Sequence, residues 1–221
     1  MKVARDKNNP AFQKKWKERL ATTSTIRRNR NSISKEEILQ TAMETLRTEG
    51  VDSLSMRNIA QKMGCSVASP YAYFQSREEI IQALILLGEK TLTSQLEAAR
   101  NSSNDVYVQL DKIARAYWDF SRENRELHKL MFNSISGKLY RQTFPSLPTS
   151  YRVFLDTIRQ GIRSGEIKFN RSNYHAIART LWSWMYGLIV LDMNDIMRKK
   201  KSFDPIQEGI QLFQLLLRRG E

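Results

Sequence analysis

Hydroxyl and guanidinium side chains are concentrated in one short stretch of the chain, residues 55–77. Such groups donate hydrogen bonds to phosphate oxygens. A nucleophilic hydroxyl would also need a neighbouring base, and this stretch contains no His, Asp or Glu. The stretch therefore offers hydrogen-bond donors without a base for catalysis, and these donors belong to Ser55, Arg57, Ser66, Ser69, Tyr71, Tyr73 and Arg77.

The composition of the whole chain also argues against an enzyme or a metal site. A single cysteine, Cys65, and two histidines, His128 and His175, provide neither metal-ligand spacing nor a disulfide framework. No Ser-His-Asp set and no glycine-rich phosphate loop is visible. The basic N-terminus lacks the apolar segment of a secretory signal, and the longest apolar run, residues 181–191, is too short to span a bilayer. We therefore expect a cytoplasmic protein without catalysis, cofactor or membrane partner.

Positive charge is distributed unevenly along the chain. The net charge is +13, of which residues 1–31 carry +8, residues 32–93 carry −2 and residues 94–221 carry +7. Basic proteins of this kind usually bind a polyanionic partner, most often nucleic acid. The arm at residues 1–31 is therefore expected to supply much of the attraction to phosphate, since residues 32–93, which contain the stretch with the hydroxyl groups, are slightly acidic overall.

The elements that position this stretch are predicted to be helices. Ser34 and Glu37 form a capping box for a first helix, which Gly50 ends. Ser55 caps a second helix whose apolar positions recur at helical spacing, and Gly64 ends it. A short helix after a tight glycine turn completes a helix-turn-helix over residues 55–74. No alternating β pattern of useful length is present, so the predicted fold class is all-α.

Pro70 lies inside the predicted recognition helix, where a proline would normally be harmful. If Ser66 is the N-cap, Pro70 is the fourth helical residue and its lost backbone partner is the Ser66 carbonyl. If Ser69 is the N-cap, Pro70 occupies the favoured first position. Both alternatives predict a short helix over about residues 70–75, which is loosened or starts late.

The stretch LSMRNIAQKMGCSVASPYAYFQSREEI, residues 54–80, resembles the tetracycline-repressor (TetR) family of transcriptional regulators. The resemblance covers residues 34 to about 92. It rests on the helix start, the glycine turn, the aromatic ending and the following polar pair, which here are Ser55, Arg57, Ile59 and Ala60, then Gly64, Cys65 and Ser66, then Tyr71, Tyr73 and Phe74, and finally Ser76 and Arg77.

A weaker resemblance extends into the C-terminal part. AYWDFSRENRELHKLMF (116–132) and LWSWMYGL (181–188) are similar to ligand-domain motifs of one branch of the family, with Tyr186 in the place of a histidine. The resemblance implies a homodimer with three regions per subunit. These are a basic arm at 1–31, a DNA-binding head at 32–92 and a helical domain for ligand binding and dimerisation at 93–221.

The resemblance also implies which residues contact double-stranded DNA. The turn residue Ser66 precedes Val67, Ala68 and Ser69, which would lie at the base-reading edge; because these side chains are small, direct base readout should be modest. Phosphate contacts would come from Ser55, Tyr71, Tyr73, Arg77 and Lys35, and Arg57 would reach a phosphate or a base. In the arm, Arg27, Arg28 and Arg30 would enter the minor groove.

Several of these residues have a plainer interpretation. Phe74 is expected to be core. Tyr71 is expected to pack its ring while its hydroxyl meets a phosphate. Cys65 is expected to be a buried small side chain in the turn. The arm could instead be a solvating tail or a short helix on a membrane surface.

The ligand pocket is expected to involve Trp118, Phe154, Trp182, Met185 and Tyr186, drawn from a wider apolar set that includes Phe132 and Tyr151. His128 is expected to cap or pack, and His175 to lie at the dimer surface. Helices at about 172–193 and 205–218 are expected to form the dimer interface.

The implied function is a transcriptional repressor of a palindromic operator, released by a small-molecule effector. The alternatives are a helical enzyme and an architectural DNA binder without sequence preference.

Overall fold

The computed structural model describes residues 33–132, 139, 141–144, 146–169, 174–196 and 204–219. Every regular element in these ranges is a helix, which confirms the predicted all-α class. Residues 35–221 form one compact unit. In chain order its helices are α1 (Lys35–Glu49), a 3-10 turn (Val51–Ser53), α2 (Met56–Met63), α3 (Ala68–Tyr71), α4 (Arg77–Arg100), α5 (Val106–Glu123), α6 (Arg125–Phe132), α7 (Thr149–Ser164), α8 (Tyr174–Met193) and α9 (Pro205–Arg219).

The N-terminal helices are held by a small apolar core. Ile38, Ala42 and Leu46 on one face of α1 are buried. Ile59 and Ala60 from α2 are buried as well, and α1 and α2 pack together. This spacing of three and four residues is what a helix needs to bury one stripe and leave the other side in water.

The long helix α4 runs through residue 92, where the sequence predicted a domain boundary. Its first turn is capped by Ser76, whose hydroxyl accepts a hydrogen bond from the Glu79 N–H at 3.3 Å. Farther along, α4 packs against α5, α6 and α7. One continuous helix therefore joins the predicted DNA-binding head to the predicted ligand domain, with no linker between them.

Close helix contacts in the C-terminal part depend on glycine. A Cβ atom at Gly88 would lie 2.5 Å from the Met131 sulfur, so α4 and α6 can approach only without it. A Cβ atom at Gly161 would lie 2.7 Å from a methyl group of Val106 on α5. Both glycines are buried inside helices, where their helix-propensity cost of about 1 kcal/mol each is offset by the closer packing.

The last two helices leave an apolar surface in solvent. On α9, Leu212, Leu215 and Leu216 are between 50% and 57% exposed, and they share one face by their spacing. Leu191 near the end of α8 is 37% exposed. Of the helices that the structure describes, none combines the length and apolar character needed to cross a membrane.

Candidate nucleic-acid interface and ligand cleft

A left-handed glycine connects α2 to α3. Gly64 has φ 66° and ψ 33°, a conformation that residues with a Cβ rarely adopt. The Cys65 N–H then donates to the Ala60 carbonyl at 3.0 Å and closes the end of α2. The thiol of Cys65 is half-buried, so it is more accessible than the buried position predicted for it. The sharp turn redirects the chain immediately into the recognition helix.

The recognition helix is short, as predicted, but its predicted limits of about 70 and 75 are wrong. It begins at Ala68 and ends at Tyr71, so Pro70 is its third residue. The Ser66 carbonyl, which a residue other than proline at position 70 could have bonded, instead accepts the Ser69 N–H at 3.0 Å. Neither predicted N-cap is correct, because Val67 occupies that position without a side-chain cap. The proline is tolerated because the bond three residues back satisfies the carbonyl it would leave free.

The side chains of this segment separate into a core side and a solvent side. Pro70 is buried, and Phe74 is 1% exposed, as predicted for it. Val67, Tyr71 and Tyr73 are 44%, 53% and 41% exposed. The prediction that the Tyr71 ring packs is therefore wrong, because Pro70 takes the core-facing position in this single turn. Ser66 and Ala68 are also exposed, whereas Ser69 is half-buried with its hydroxyl 3.2 Å from that of Ser66.

Two exposed cations and one capping serine lie at or near the starts of α1 and α2, the helices that precede this segment in the chain. Arg57 and Lys35 are exposed, and neither has an ion pair among the described residues. The Lys35 ammonium lies 4.9 Å from the centroid of the Phe74 ring. The Ser55 hydroxyl accepts the Asn58 N–H at 3.1 Å as the N-cap of α2, which leaves its own proton available to an external acceptor.

Arg77 is placed differently from the predicted phosphate contact. Its Nε donates to the Leu54 carbonyl at 2.5 Å, and its Nη2 donates to the Val51 carbonyl at 2.8 Å. These carbonyls belong to the short 3-10 turn and the residue after it, and the Val51 carbonyl also accepts the Leu54 N–H at 3.2 Å. Arg77 therefore anchors the first turn of α4 to the segment before α2.

One further cation of this region is neutralised within the chain. The Lys62 ammonium forms a salt bridge with Glu49. This contact, helped by the Asn58 amide, lowers the pKa of the Glu49 carboxyl. The charge pattern of the exposed side therefore depends on Arg57 and Lys35 rather than on Lys62.

A concave feature lies in the C-terminal part of the chain. It is an open cleft of about 430 Å³ formed by the end of α6, the start of α7 and the N-terminal half of α8. The residues that line it are Phe132, Leu147, Pro148, Ser150, Tyr151, His175, Arg179, Trp182 and Ser183. Its volume falls within the range of small-molecule sites in proteins.

Only Trp182 of the five predicted pocket residues lines this cleft. Phe154 and Met185 border a gap of about 30 Å³ near α9, which is too small for an organic ligand. Trp118 is 8% exposed and belongs to the core of α5. Tyr186 packs behind the cleft, with its ring centroid 5.9 Å from that of Phe132. The predicted set was drawn from the largest apolar side chains, and such residues are the ones that a packed interior buries.

The cleft also contains polar residues that the sequence analysis did not select. His175, Arg179, Trp182 and Ser183 are spaced by four, three and one residues along α8, so they share one face of that helix. These polar residues form a stripe on one face of an otherwise apolar segment, and this pattern could have been recognised from the sequence. His175 is exposed and lines the cleft, and its place at a dimer surface stays a prediction.

Behind Trp182 lies a buried aromatic cluster. The Trp182 ring stacks on Tyr117 with 4.7 Å between centroids. The Tyr117 hydroxyl lies 3.2 Å from Nε2 of His128, which is 2% exposed. Burial lowers the pKa of His128 to about 4, because the charged imidazolium would lose its hydration. His128 therefore packs, as expected, and is neutral at physiological pH.

Two family models match the chain in the regions just described. The model for bacterial regulatory proteins of the tetR family matches residues 38–84, and the model for the tetracyclin repressor-like C-terminal domain matches residues 110–218. The chain belongs to the TetR family. This membership makes it a DNA-binding transcription regulator with a helix-turn-helix head. Arg27, Arg28 and Arg30 of the predicted arm lie outside the described residues.

Known proteins resemble this TetR-family chain at low identity. The nucleoid occlusion factor SlmA of Haemophilus ducreyi is 28% identical over 111 residues, which are 47% of this chain and 55% of that protein. The chain thus spans about half the length of the first curated relatives that it matches.

Solved structures share the fold over most of the chain. A protein of unknown function from Rhodococcus sp. RHA1 superimposes with a TM-score of 0.70 at 23% identity, covering 87% of this chain and 98% of that one. The TetR-family regulator PfmR of Thermus thermophilus gives a TM-score of 0.59 at 22% identity, covering 83% and 97%. At this level of identity the likeness concerns the fold alone.

Proposed function

We propose that this TetR-family regulator binds a palindromic operator as a homodimer, represses transcription there, and is released when a small molecule occupies the cleft beside α8. The observation that carries the proposal is the solvent side of α3, where Val67, Ala68, Tyr71 and Tyr73 are exposed directly after the Gly64 turn. Tyr71 and Tyr73 expose about half of their side chains to solvent, and exposed hydroxyl groups of this kind suit contact with a duplex.

The contacts to DNA divide by side-chain type. Val67 and Ala68 offer methyl groups, which can meet the thymine methyl in the major groove but cannot make bidentate hydrogen bonds to a base. Tyr71, Tyr73 and Arg57 provide hydroxyl and guanidinium donors for phosphates. Specificity then depends in part on DNA shape and on the basic arm with Arg27, Arg28 and Arg30 in an adjacent minor groove.

Dimerisation is supported by the apolar surface of the last two helices. Leu212, Leu215 and Leu216 on α9 and Leu191 on α8 expose large side chains to solvent. A contiguous apolar face of this kind usually marks an interface. A two-fold pair of these helices would bury it in a four-helix contact and present two copies of α3 to successive turns of DNA.

A specific contact links the cleft to the helix that begins in the head. Glu89 on α4 is 4% exposed, and its carboxylate accepts the Ser150 N–H at 2.8 Å and the Ser150 hydroxyl at 3.0 Å. Ser150 lines the cleft and lies in the first turn of α7. The other end of α4 is held to the head through Arg77. A ligand that shifts Ser150 would therefore act on the position of the head.

Such a ligand acts only through a difference in affinity between two states. It must bind the conformation that mismatches the operator more tightly than the conformation that fits it. By linkage, operator DNA then weakens effector binding by the same factor.

A footprint on the DNA upstream of the protein's own gene tests the proposal. A discrete palindromic protected site is the expected result. Arg57→Gln should weaken binding to it about tenfold, which corresponds to about 1.4 kcal/mol for a lost charged contact. Arg163→Gln, the same change on an exposed position of α7, is the matched control and should bind normally.

Two outcomes would overturn the proposal. Diffuse protection along the DNA would indicate an architectural binder without sequence preference. An absence of binding at low salt would remove the regulator function altogether and revive the possibility of a helical enzyme.

A further inference from the structure

We propose that the cleft beside α8 takes an amphipathic organic carboxylate, with its charged group on Arg179 and its apolar body against Trp182 and Tyr151. This inference rests on the proposed function, because it names the chemical class of the effector. It concerns a feature that the sequence analysis did not reach, since neither Arg179 nor the polar stripe of α8 was among the predicted pocket residues.

The charged groups in and near the cleft favour an anionic ligand. Arg179 is exposed, and no carboxylate in the described part of the chain forms an ion pair with it. The residues that line the cleft in the described part of the chain include no acidic side chain. The carboxylate of Glu89 contacts Ser150, but it is buried and both of its oxygens already accept hydrogen bonds from that residue. An anion entering the cleft therefore meets an exposed guanidinium that has no ion pair among the described residues, whereas a cation meets no carboxylate among the described lining residues.

The position of Arg179 relative to Tyr151 is the second argument. Burial raises the pKa of the Tyr151 phenol, and the positive charge of Arg179 opposes that rise. Both residues line the cleft, Arg179 from α8 and Tyr151 from α7. Each offers a hydrogen-bond donor to an anion there, and guanidinium and carboxylate pair well in bidentate geometry.

The apolar surface next to these donors is the third argument. The rings of Tyr151 and Trp182 meet edge to face with 5.3 Å between centroids. Leu147, which is 48% exposed, and Phe132 extend the same wall. Arg179 and Trp182 are three residues apart on α8, which is about 4.5 Å along the helix axis. One small molecule can therefore reach the charged donor and the aromatic wall together.

The small number of cations in the described lining also favours a single compact anion over a larger polyphosphate. His175 lies one turn before Arg179 on the same face, and Ser183 one turn after it. Arg179 is the only lysine or arginine among the described residues that line the cleft. A carboxylate needs one such partner, while a polyphosphate is usually held by several cations or by backbone N–H groups of a glycine-rich loop.

Binding by the full-length chain is the test, measured by calorimetry or by ligand-observed NMR. The probes are decanoate and 2-naphthoate, each beside its primary amide and the matching amine. At least one of the two carboxylates should bind at least tenfold more tightly than its amide, and the amines should not bind. Arg179→Gln should remove this preference, Arg179→Lys should restore part of it, and Arg163→Gln should keep it.

The inference is overturned if the amide binds as well as the carboxylate, if the preference survives in Arg179→Gln, or if neither carboxylate binds. Its failure is distinguishable from that of the proposed function, because the footprint is measured without any ligand. A palindromic footprint with no carboxylate preference leaves the regulator and removes the effector class. Carboxylate binding without a footprint removes the operator function and leaves the ligand site.

Discussion

The recognition helix α3 and the cleft beside α8 both present polar groups to solvent, but different contacts shape them. In α3 the decisive hydrogen bonds join residues three or four apart, such as the Ser69 N–H and the Ser66 carbonyl. The cleft instead brings together residues from α6, α7 and α8, for example Phe132, Ser150 and Arg179. The hydrogen bonds of α3 therefore need only neighbouring residues, whereas the cleft exists only when three helices have packed.

Arg77 shows where this division between local and distant contacts fails. It belongs to the head, yet its guanidinium bonds carbonyls 23 and 26 residues earlier in the chain. Local pattern suggested a phosphate contact, and tertiary packing gave the side chain another partner. The contrast between α3 and the cleft therefore concerns the range of the contacts that hold a residue rather than the domain in which it lies.

The largest expected effect lies in the aromatic cluster behind the cleft. His128 has a pKa of about 4 in the folded chain against 6.5 in the unfolded chain, so between these values the unfolded state binds the proton first. The free energy of unfolding should therefore fall as the pH is lowered from 6.5 to 4, by about 3 kcal/mol from this group. His128→Gln, which cannot take up the proton, should remove that part of the loss in denaturant titrations.

The exposed His175 provides the control for this measurement. His175→Gln should keep the full acid dependence of the wild-type protein. An equal acid dependence in His128→Gln and in the wild type would show that His128 does not contribute in this way. The aromatic cluster behind Trp182 would then be less tightly packed than the structure indicates.

A smaller effect separates the two arginines of the head. Arg77→Gln removes two hydrogen bonds from a charged donor to backbone carbonyls, and it should lower the free energy of unfolding by about 2 kcal/mol. Arg57→Gln should change that free energy by less than about 0.5 kcal/mol, because Arg57 is exposed. Chemical denaturation of both variants checks the difference. The result would contradict the structure if Arg77→Gln were as stable as Arg57→Gln.

The salt dependence of operator binding should change in Arg57→Gln but not in Arg77→Gln, which is the reverse of their expected effects on stability. Loss of a phosphate contact at Arg57 should reduce the slope of log K against log salt by roughly 0.9 per contact. Arg77→Gln, compared at a temperature where it remains folded, should keep the wild-type slope. A reduced slope in Arg77→Gln would instead show that Arg77 contacts a phosphate, as the sequence predicted.

The smallest effect is expected at the turn. Cys65→Val keeps the backbone hydrogen bond to Ala60, since that bond uses the N–H of residue 65 rather than the thiol. Stability should change by less than about 0.5 kcal/mol, and operator affinity should stay within twofold. Measurement with and without a mild oxidant checks whether the half-buried thiol matters. An oxidant response that is lost in the valine variant would assign Cys65 a sensing role.

Much of the head was predictable because its determinants are short in range. The helix-turn-helix, its glycine turn and the cap at Ser55 all follow from residues within one or two helical turns of each other. The limits of α3 were not, because the Ser66 carbonyl had an alternative partner in the Ser69 N–H that residue types alone do not reveal. The burial of Pro70 in place of Tyr71 was missed for a related reason, since it depends on how one turn of helix faces the rest of the head.

The cleft was predicted poorly. Large apolar side chains such as Trp118 and Met185 were chosen, and packing placed them in the core. The described residues that line the cleft combine aromatic side chains such as Tyr151 and Trp182 with polar ones such as Ser150 and Arg179, and they come from helix ends and from one face of α8.

The amino-acid sequence by itself determined the all-α class, the order of most helices and the turn at Gly64, because these depend on periodicity, capping and one left-handed residue. The tertiary structure alone decided which side chains remain free to bind: it tied Arg77 to the backbone, left Arg57 exposed, and opened the cleft around Arg179. The physical reason is that a helix is selected by neighbours a few residues away, whereas burial and hydrogen-bond partners are supplied by segments that meet only after folding.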